Sequence, residues 1–224
     1  MYDRFIERLS VSKYKDNFIL KGGFYLSTLF GVENRTTMDI DTALKNTTFD
    51  EKTIIKIIKE IVSIKLEDNS IVTYLGISPI REEDEYGGFR VDIMVELESI
   101  KEKFHVDIAT GDPITPKEII YKYKPILNDN YISLWAYNIE TVLAEKLETI
   151  FNRMELNGRM RDFYDIYLIY VKDWSNINLN HFRKAIDKTF TKRNYEYAKG
   201  IDFEEILNCL EKIIEQVELV VVNS

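Results

Sequence analysis

Asp39 and Asp41 stand one residue apart in RTTMDID, and on an extended segment alternation sends both side chains to one face while Met38 and Ile40 turn to the core. Two neighbouring carboxylates repel. A divalent cation between them removes that cost, and ligands made only of oxygen suit a hard ion such as Mg2+ better than zinc. Upstream, Gly22 and Gly23 open an apolar stretch, KGGFYLSTLF, that reads as a helix. Backbone N–H groups at such an entrance can approach a phosphate, where the positive end of the helix dipole adds attraction. Phosphate beside metal describes a nucleotide. Taken singly, a Gly-Gly is ordinarily a turn and a D-x-D ordinarily a solvated strand end. The two together, with a helix-like apolar run between them, are far more specific.

A two-metal phosphoryl site needs a further acid on a neighbouring strand, to hold the ion that activates the attacking oxygen. Asp92 in FRVDIMVE and Asp107 in FHVDIATGD compete for that place. Val106 and Ile108 would bury the face opposite Asp107, and its strand runs into a loop at Gly111, Asp112 and Pro113. Asp92 alternates with Arg90, Met94 and Glu96, which reads as the solvent face of an edge strand, so Asp107 is preferred. The C-terminal half adds Lys146 in AEKLETIFNR, beside the apolar stripe of Val142, Leu143, Leu147, Ile150 and Phe151. It also adds Asp162 and Asp165, spaced i, i+3 on a helix whose entrance carries Arg159 and Arg161. Lys146 and Asp162 alone would be read as an interhelical ion pair. Beside a nucleotide site, a lysine fixed by an acid is what offsets triphosphate charge.

The elements that must position these groups follow from periodicity. Helical spacing predicts a short helix over Tyr2 to Leu9, a second over Phe24 to Phe30 ending near Gly31, and a third from an Asp50 cap to about Leu66. Phe18 to Leu20 leads into the glycines, and Met38 to Ala43 is the strand of the aspartate pair. Alternation and β-branched residues predict strands at Ile71 to Ile80, Gly88 to Leu97 and Lys103 to Ala109, the last two pairing as a hairpin. Thr115, Pro116 and Glu118 have the pattern of a capped helix start. Tyr131 to Tyr137 reads as one more short strand, after which Ile139 to Asn157, Met160 to Lys172, Asn180 to Thr189 and Phe203 to Val220 read as helices. The expected organisation is a sheet-containing core over 1–137 and a helical region over 138–224.

Composition narrows the classes. A chain of 224 residues can bury a sizeable core. A formal net charge of −8 argues against a generally sticky nucleic-acid binder, so any RNA site must be a local patch. YKYK at 121–124 and KTFTKR at 188–193 supply the basic and aromatic residues for one. Cys209 is the only cysteine, which excludes an internal disulfide, and His105 and His181 are too few for a zinc cluster. With no apolar run of membrane-spanning length and a charged N-terminus, the expected location is cytoplasmic, with no membrane partner.

In order and spacing, FILKGGFYL, RTTMDID, YGGFRV, VDIATGDPITP, ETVLAEKLETI, RMRDFYDIY and, more weakly, AIDKTFTKR resemble the nucleotidyltransferase toxins of the abortive-infection AbiEii/AbiGii family. These are relatives of type IV toxin–antitoxin toxins. The resemblance runs from about Phe18 to Arg193 and implies an α+β fold, a polymerase-β-like mixed sheet followed by a helical C-terminal half. It matches Gly22 and Gly23 to the family's phosphate-side turn, Asp39 and Asp41 to its metal-binding pair, Asp107 to its third acid, Lys146 to its lysine motif and Asp162 to the acid of its closing motif. Many members carry serine where Gly23 stands, so a hydroxyl contact to phosphate is missing here. The family also often has a further helical segment before the sheet, whereas here the glycine turn comes early.

The expected function is transfer of a nucleoside monophosphate from an NTP to an acceptor, with Mg2+ as cofactor. Asp39, Asp41 and Asp107 would hold metal, Gly22, Gly23, Lys146 and Arg161 would bind nucleotide, and Asp107 would help deprotonate the attacking hydroxyl. The resemblance implies an RNA acceptor, in particular a tRNA 3′ end, and a cognate antitoxin. Transfer to a small molecule or a protein side chain, and a non-catalytic nucleotide-binding module, are the alternatives.

Overall fold

Strands with one apolar face and helices with one apolar stripe can bury those surfaces only against each other, and the chain divides into two compact units that do so separately. The computed structural model describes residues 1–80, 87–126, 130–153, 160–193 and 202–222. One unit comprises Met1–Gly111 with Ile119–Ala136, the other Asp112–Glu118 with Tyr137–Ser224.

The first unit holds α1 (Tyr2–Val11), β1 (Phe18–Leu20), α2 (Gly22–Phe30), β2 (Asp39–Leu44), α3 (Glu51–Val62), β3 (Ile71–Ile80), β4 (Gly88–Leu97), β5 (Ile100–Ala109), β6 (Ile119–Tyr123) and β7 (Ile132–Ala136). Among the described residues seven strands form one mixed sheet in the order β3-β4-β5-β2-β1-β7-β6. The central β2 runs parallel to β5 and antiparallel to β1. Its Ile40 is fully buried, as are Val106 and Ile108 beside it, so the opposite face is left for Asp39, Asp41 and Asp107. On α3 the residues Ile54, Ile57, Ile58 and Ile61 form the buried stripe, each contributing roughly 1.5–3 kcal/mol at most. Asp50 caps it by accepting from the Thr53 N–H at 2.9 Å, a bond worth about 1 kcal/mol. The helix stops at Val62, short of Leu66.

Three sequence expectations are corrected here. Met38 precedes the strand and is 74% exposed rather than turned to the core. Asp92 does not lie on an edge strand, since β4 is flanked by β3 and β5. Thr115 to Glu118 do not start a helix. The Thr115–Pro116 bond is cis, and the backbone N–H and carbonyl of Thr115 are both taken by the Thr141 hydroxyl, at 2.9 and 3.0 Å. The residues that follow, IIYKY, pair along their length with β7. Partner strand and β-branched composition thus overrode a local capping pattern.

The second unit holds α4 (Ile139–Arg153), α5 (Met160–Asp173), α6 (Leu179–Arg193) and α7 (Phe203–Val222). Leu143, Leu147, Ile166, Ile169, Phe182 and Ala185 are its centre, with no or almost no exposure. Asn138 caps α4, its side chain accepting from the Thr141 N–H at 2.8 Å. Arg193, at the end of α6, is enclosed by acids. It donates to Asp112 at 2.9 and 3.0 Å, to Glu145 at 2.7 Å and to Glu148 at 3.4 Å. Burial pushes the Glu148 carboxyl above its ordinary range, against the pull of Arg193. No described helix is long and apolar enough to cross a membrane.

Candidate active site

The loop into α2 and the strand β2 are built around one carboxylate. Gly22 has φ +59, in the left-handed region, and a Cβ there would lie 2.5 Å from Asp41 Oδ2. Only glycine allows this approach. It lets the Gly23 N–H donate to Asp41 Oδ2 at 2.9 Å while the Lys21 N–H donates to the Asp41 carbonyl at 3.0 Å. The first turn of α2 therefore already meets a negative charge, the favourable arrangement at a helix N-terminus. Arg35 packs behind, where a Cβ on Gly23 would meet its guanidinium at 2.8 Å.

Parallel pairing of β2 with β5 sets Asp41 directly beside Asp107 and Asp39 beside His105. Antiparallel pairing of β4 with β5 sets Arg90 opposite Asp107. Arg90 donates to both oxygens of Asp107, from Nε at 2.8 Å and Nη2 at 2.7 Å, and its Nη2 lies 3.8 Å from Asp39 Oδ2. These bonds, and then the fields of Asp107, Asp39 and Asp41, push the guanidinium well above its ordinary range against a smaller opposing effect of burial. Asp92 is engaged elsewhere, with His105 Nδ1 at 2.6 Å and Lys103 Nζ at 2.9 Å. A small open pocket has Lys21, Asp41, Gly88 and Asp107 among its walls.

The structure thus brings Gly22, Gly23, Asp39, Asp41 and Asp107 together in the first unit. Lys146, Asp162 and Arg161 belong to the second. There Lys146 Nζ is held by Asp162 at 3.1 Å and Asp165 at 2.6 Å, all three buried, while Arg161 is exposed on the first turn of α5. Arg159 lies outside the described residues. Two participants were missed. Lys21, only 6% exposed, lines the pocket beside Asp41 and Asp107 and carries no signal in the sequence beyond preceding the glycines. Arg90 reads from the sequence as a solvent-facing neighbour of Asp92, and it comes to stand opposite Asp107 because β5 begins at Ile100, three residues before the expected Lys103, so that Leu97 pairs with Ile100.

For a hard divalent cation the donor chemistry is right, since Asp39, Asp41 and Asp107 present oxygen alone on one face. As arranged, no group of three or more His, Cys, Asp or Glu among the described residues is set to hold an ion. A positive charge already stands at two of these carboxylates, Asp107 and Asp39, in the guanidinium of Arg90.

The family profile described as "Nucleotidyl transferase AbiEii toxin, Type IV TA system" matches residues 4–218. The chain belongs to the AbiEii family. It is therefore a nucleotidyltransferase of the toxin class, and a nucleotide substrate and an antitoxin partner come with that membership. Its fold is shared with JHP933 from Helicobacter pylori, at 15% identity and TM-score 0.52, with 99% of this chain and 92% of that one covered. It is shared equally with a candidate nucleotidyltransferase from H. pylori, at 16% identity and TM-score 0.51, covering 98% and 94%. No curated protein matches the sequence significantly. At such identities the solved structures speak for the AbiEii fold and not for a substrate.

Proposed function

We propose that this AbiEii protein transfers a nucleoside monophosphate from an NTP to an RNA acceptor, a tRNA 3′ end, with Mg2+ as cofactor, in the cytoplasm and under control of its antitoxin. The observation that carries the reading is the common face of Asp39, Asp41 and Asp107 beside the glycine turn of α2. Asp39 and Asp41 would hold metal beside the triphosphate. Asp107 would help hold the catalytic ion, and it accepts the proton of the attacking hydroxyl. Mg2+, when bound, supplies Lewis-acid stabilisation of charge on the transferred phosphoryl group and the leaving pyrophosphate. Gly22 leaves room for backbone to approach the nucleotide, and Lys146 and Arg161 offset phosphate charge. In this division residues 1–137 form the nucleotidyltransferase core and 138–224 the helical region.

The RNA part of the proposal rests on lysines rather than on stacking. Tyr121 donates to Thr28 at 3.1 Å, Tyr123 is buried and donates to Asp3, and Phe190 is buried, so the aromatics of both basic segments are committed to the interior. Arg193 is enclosed by its three acids. Lys122, Lys124 and Lys188 remain exposed and suit phosphate contacts, which position RNA without reading its sequence. Incubation with labelled NTPs, Mg2+ and total RNA tests the reading. Label in RNA of tRNA size is expected, and label confined to protein or small molecules would overturn the acceptor.

A further inference from the structure

A guanidinium that binds both oxygens of Asp107 and sits near Asp39 does the electrostatic work of a metal ion without being one. While that fork is in place one lone pair on each Asp107 oxygen is committed to Arg90, which makes the carboxylate a poorer ligand for a cation. Nor can a divalent ion approach the face without meeting a fixed positive charge. Yet the fork is not sealed, since the Arg90 side chain is 37% exposed and that of Asp107 18%. A guanidinium that still touches water is solvated when it leaves its partner, so a better partner can take Arg90 away. The better partner is an anion that arrives with the metal. Phosphate oxygens match the planar fork of arginine as well as a carboxylate does, and carry more charge.

We propose that Arg90 is a tethered counter-ion that makes metal binding at this face conditional on the nucleotide: it fills the cation position until a triphosphate gives its guanidinium another anion, and only then are Asp107 and Asp39 released to the metal. This rests on the nucleotidyltransferase reading of the face but concerns a residue and an order of binding outside it. Its consequence is that Mg2+ or Mn2+ alone binds poorly, and that metal and NTP bind cooperatively, each raising the affinity of the other by the same factor. A toxin built this way does not accumulate a metal-loaded, nucleotide-free state.

Mn2+ binding to the full chain, followed by electron paramagnetic resonance of the free ion, tests the idea without any turnover. With a non-hydrolysable NTP analogue the wild-type protein is expected to bind Mn2+ at least about tenfold more tightly than without it, beyond binding by the analogue itself. Arg90→Gln, which removes the charge and keeps a hydrogen-bonding side chain, is expected to bind Mn2+ alone about tenfold more tightly than wild type and to lose most of that coupling. Arg90→Lys, which keeps charge but cannot fork, is expected to lie between and serves in place of the glutamine variant should that one fail to fold. Equal Mn2+ affinity of the wild type and the variants without nucleotide overturns the proposal. Absence of Mn2+ binding by every form, with nucleotide present, would instead overturn the metal-dependent reading on which it rests.

Discussion

Two charge clusters in this chain have opposite composition and opposite exposure. On the sheet, two carboxylates, Asp107 and Asp39, share one arginine, whose side chain is 37% exposed. Among the helices, one lysine is shared by two carboxylates, with side chains 11%, 5% and 0% exposed for Lys146, Asp162 and Asp165. In the first the cation can be exchanged at little cost because water solvates whatever is released. In the second, removing the cation takes a charged partner from two buried acids, so its geometry is fixed. An excess of acid around an exchangeable cation describes a place to which ions come and go. A lysine walled in by acids describes a side chain fixed in place, oriented by its partners whether or not it also meets phosphate.

Substituting the cation in each cluster separates the two. Lys146→Ala is expected to lower unfolding stability by about 3–5 kcal/mol, read from denaturant titration monitored by circular dichroism, whereas Arg90→Gln is expected to shift it by about 1 kcal/mol or less. Similar losses from both would erase the distinction. A smaller effect sharpens the account of the sheet face. Gly22→Ala forces a Cβ into left-handed backbone and against Asp41, and should cost roughly 1–2 kcal/mol in the same titration while reducing transfer. A fully stable and active alanine variant would mean that the close approach of α2 to Asp41 is dispensable.

Much of this was legible in the chain because the signals were local. The Asp50 cap, the isoleucine stripe of α3, the alternation around Ile40, Val106 and Ile108, and the β4–β5 hairpin are each set by residues within a few positions of one another. What was not legible depended on distant partners. Thr115 to Glu118 carried the right letters for a helix start, but the Thr141 hydroxyl and β7 claimed that backbone from elsewhere in the chain. Asp92 read as an edge residue because β3, which covers it, is assigned only by the sheet order. The Gly23 N–H was expected to wait for phosphate, yet it already serves Asp41, a use visible only once α2 and β2 are packed. Arg90 belongs with these: its register depends on where β5 begins, and its meaning appears only beside the acids of two other strands.

The central claim is that the acids of β2 serve catalysis and not folding. Asp41→Asn tests it most directly, because the amide oxygen can still accept the Gly23 N–H while the charge that binds metal is lost. Labelled-nucleotide transfer and metal-free melting temperature should be measured on the same preparation. The account predicts transfer lower by orders of magnitude with a melting temperature unchanged or raised, and near wild-type transfer, or unfolding in the absence of metal, would contradict it.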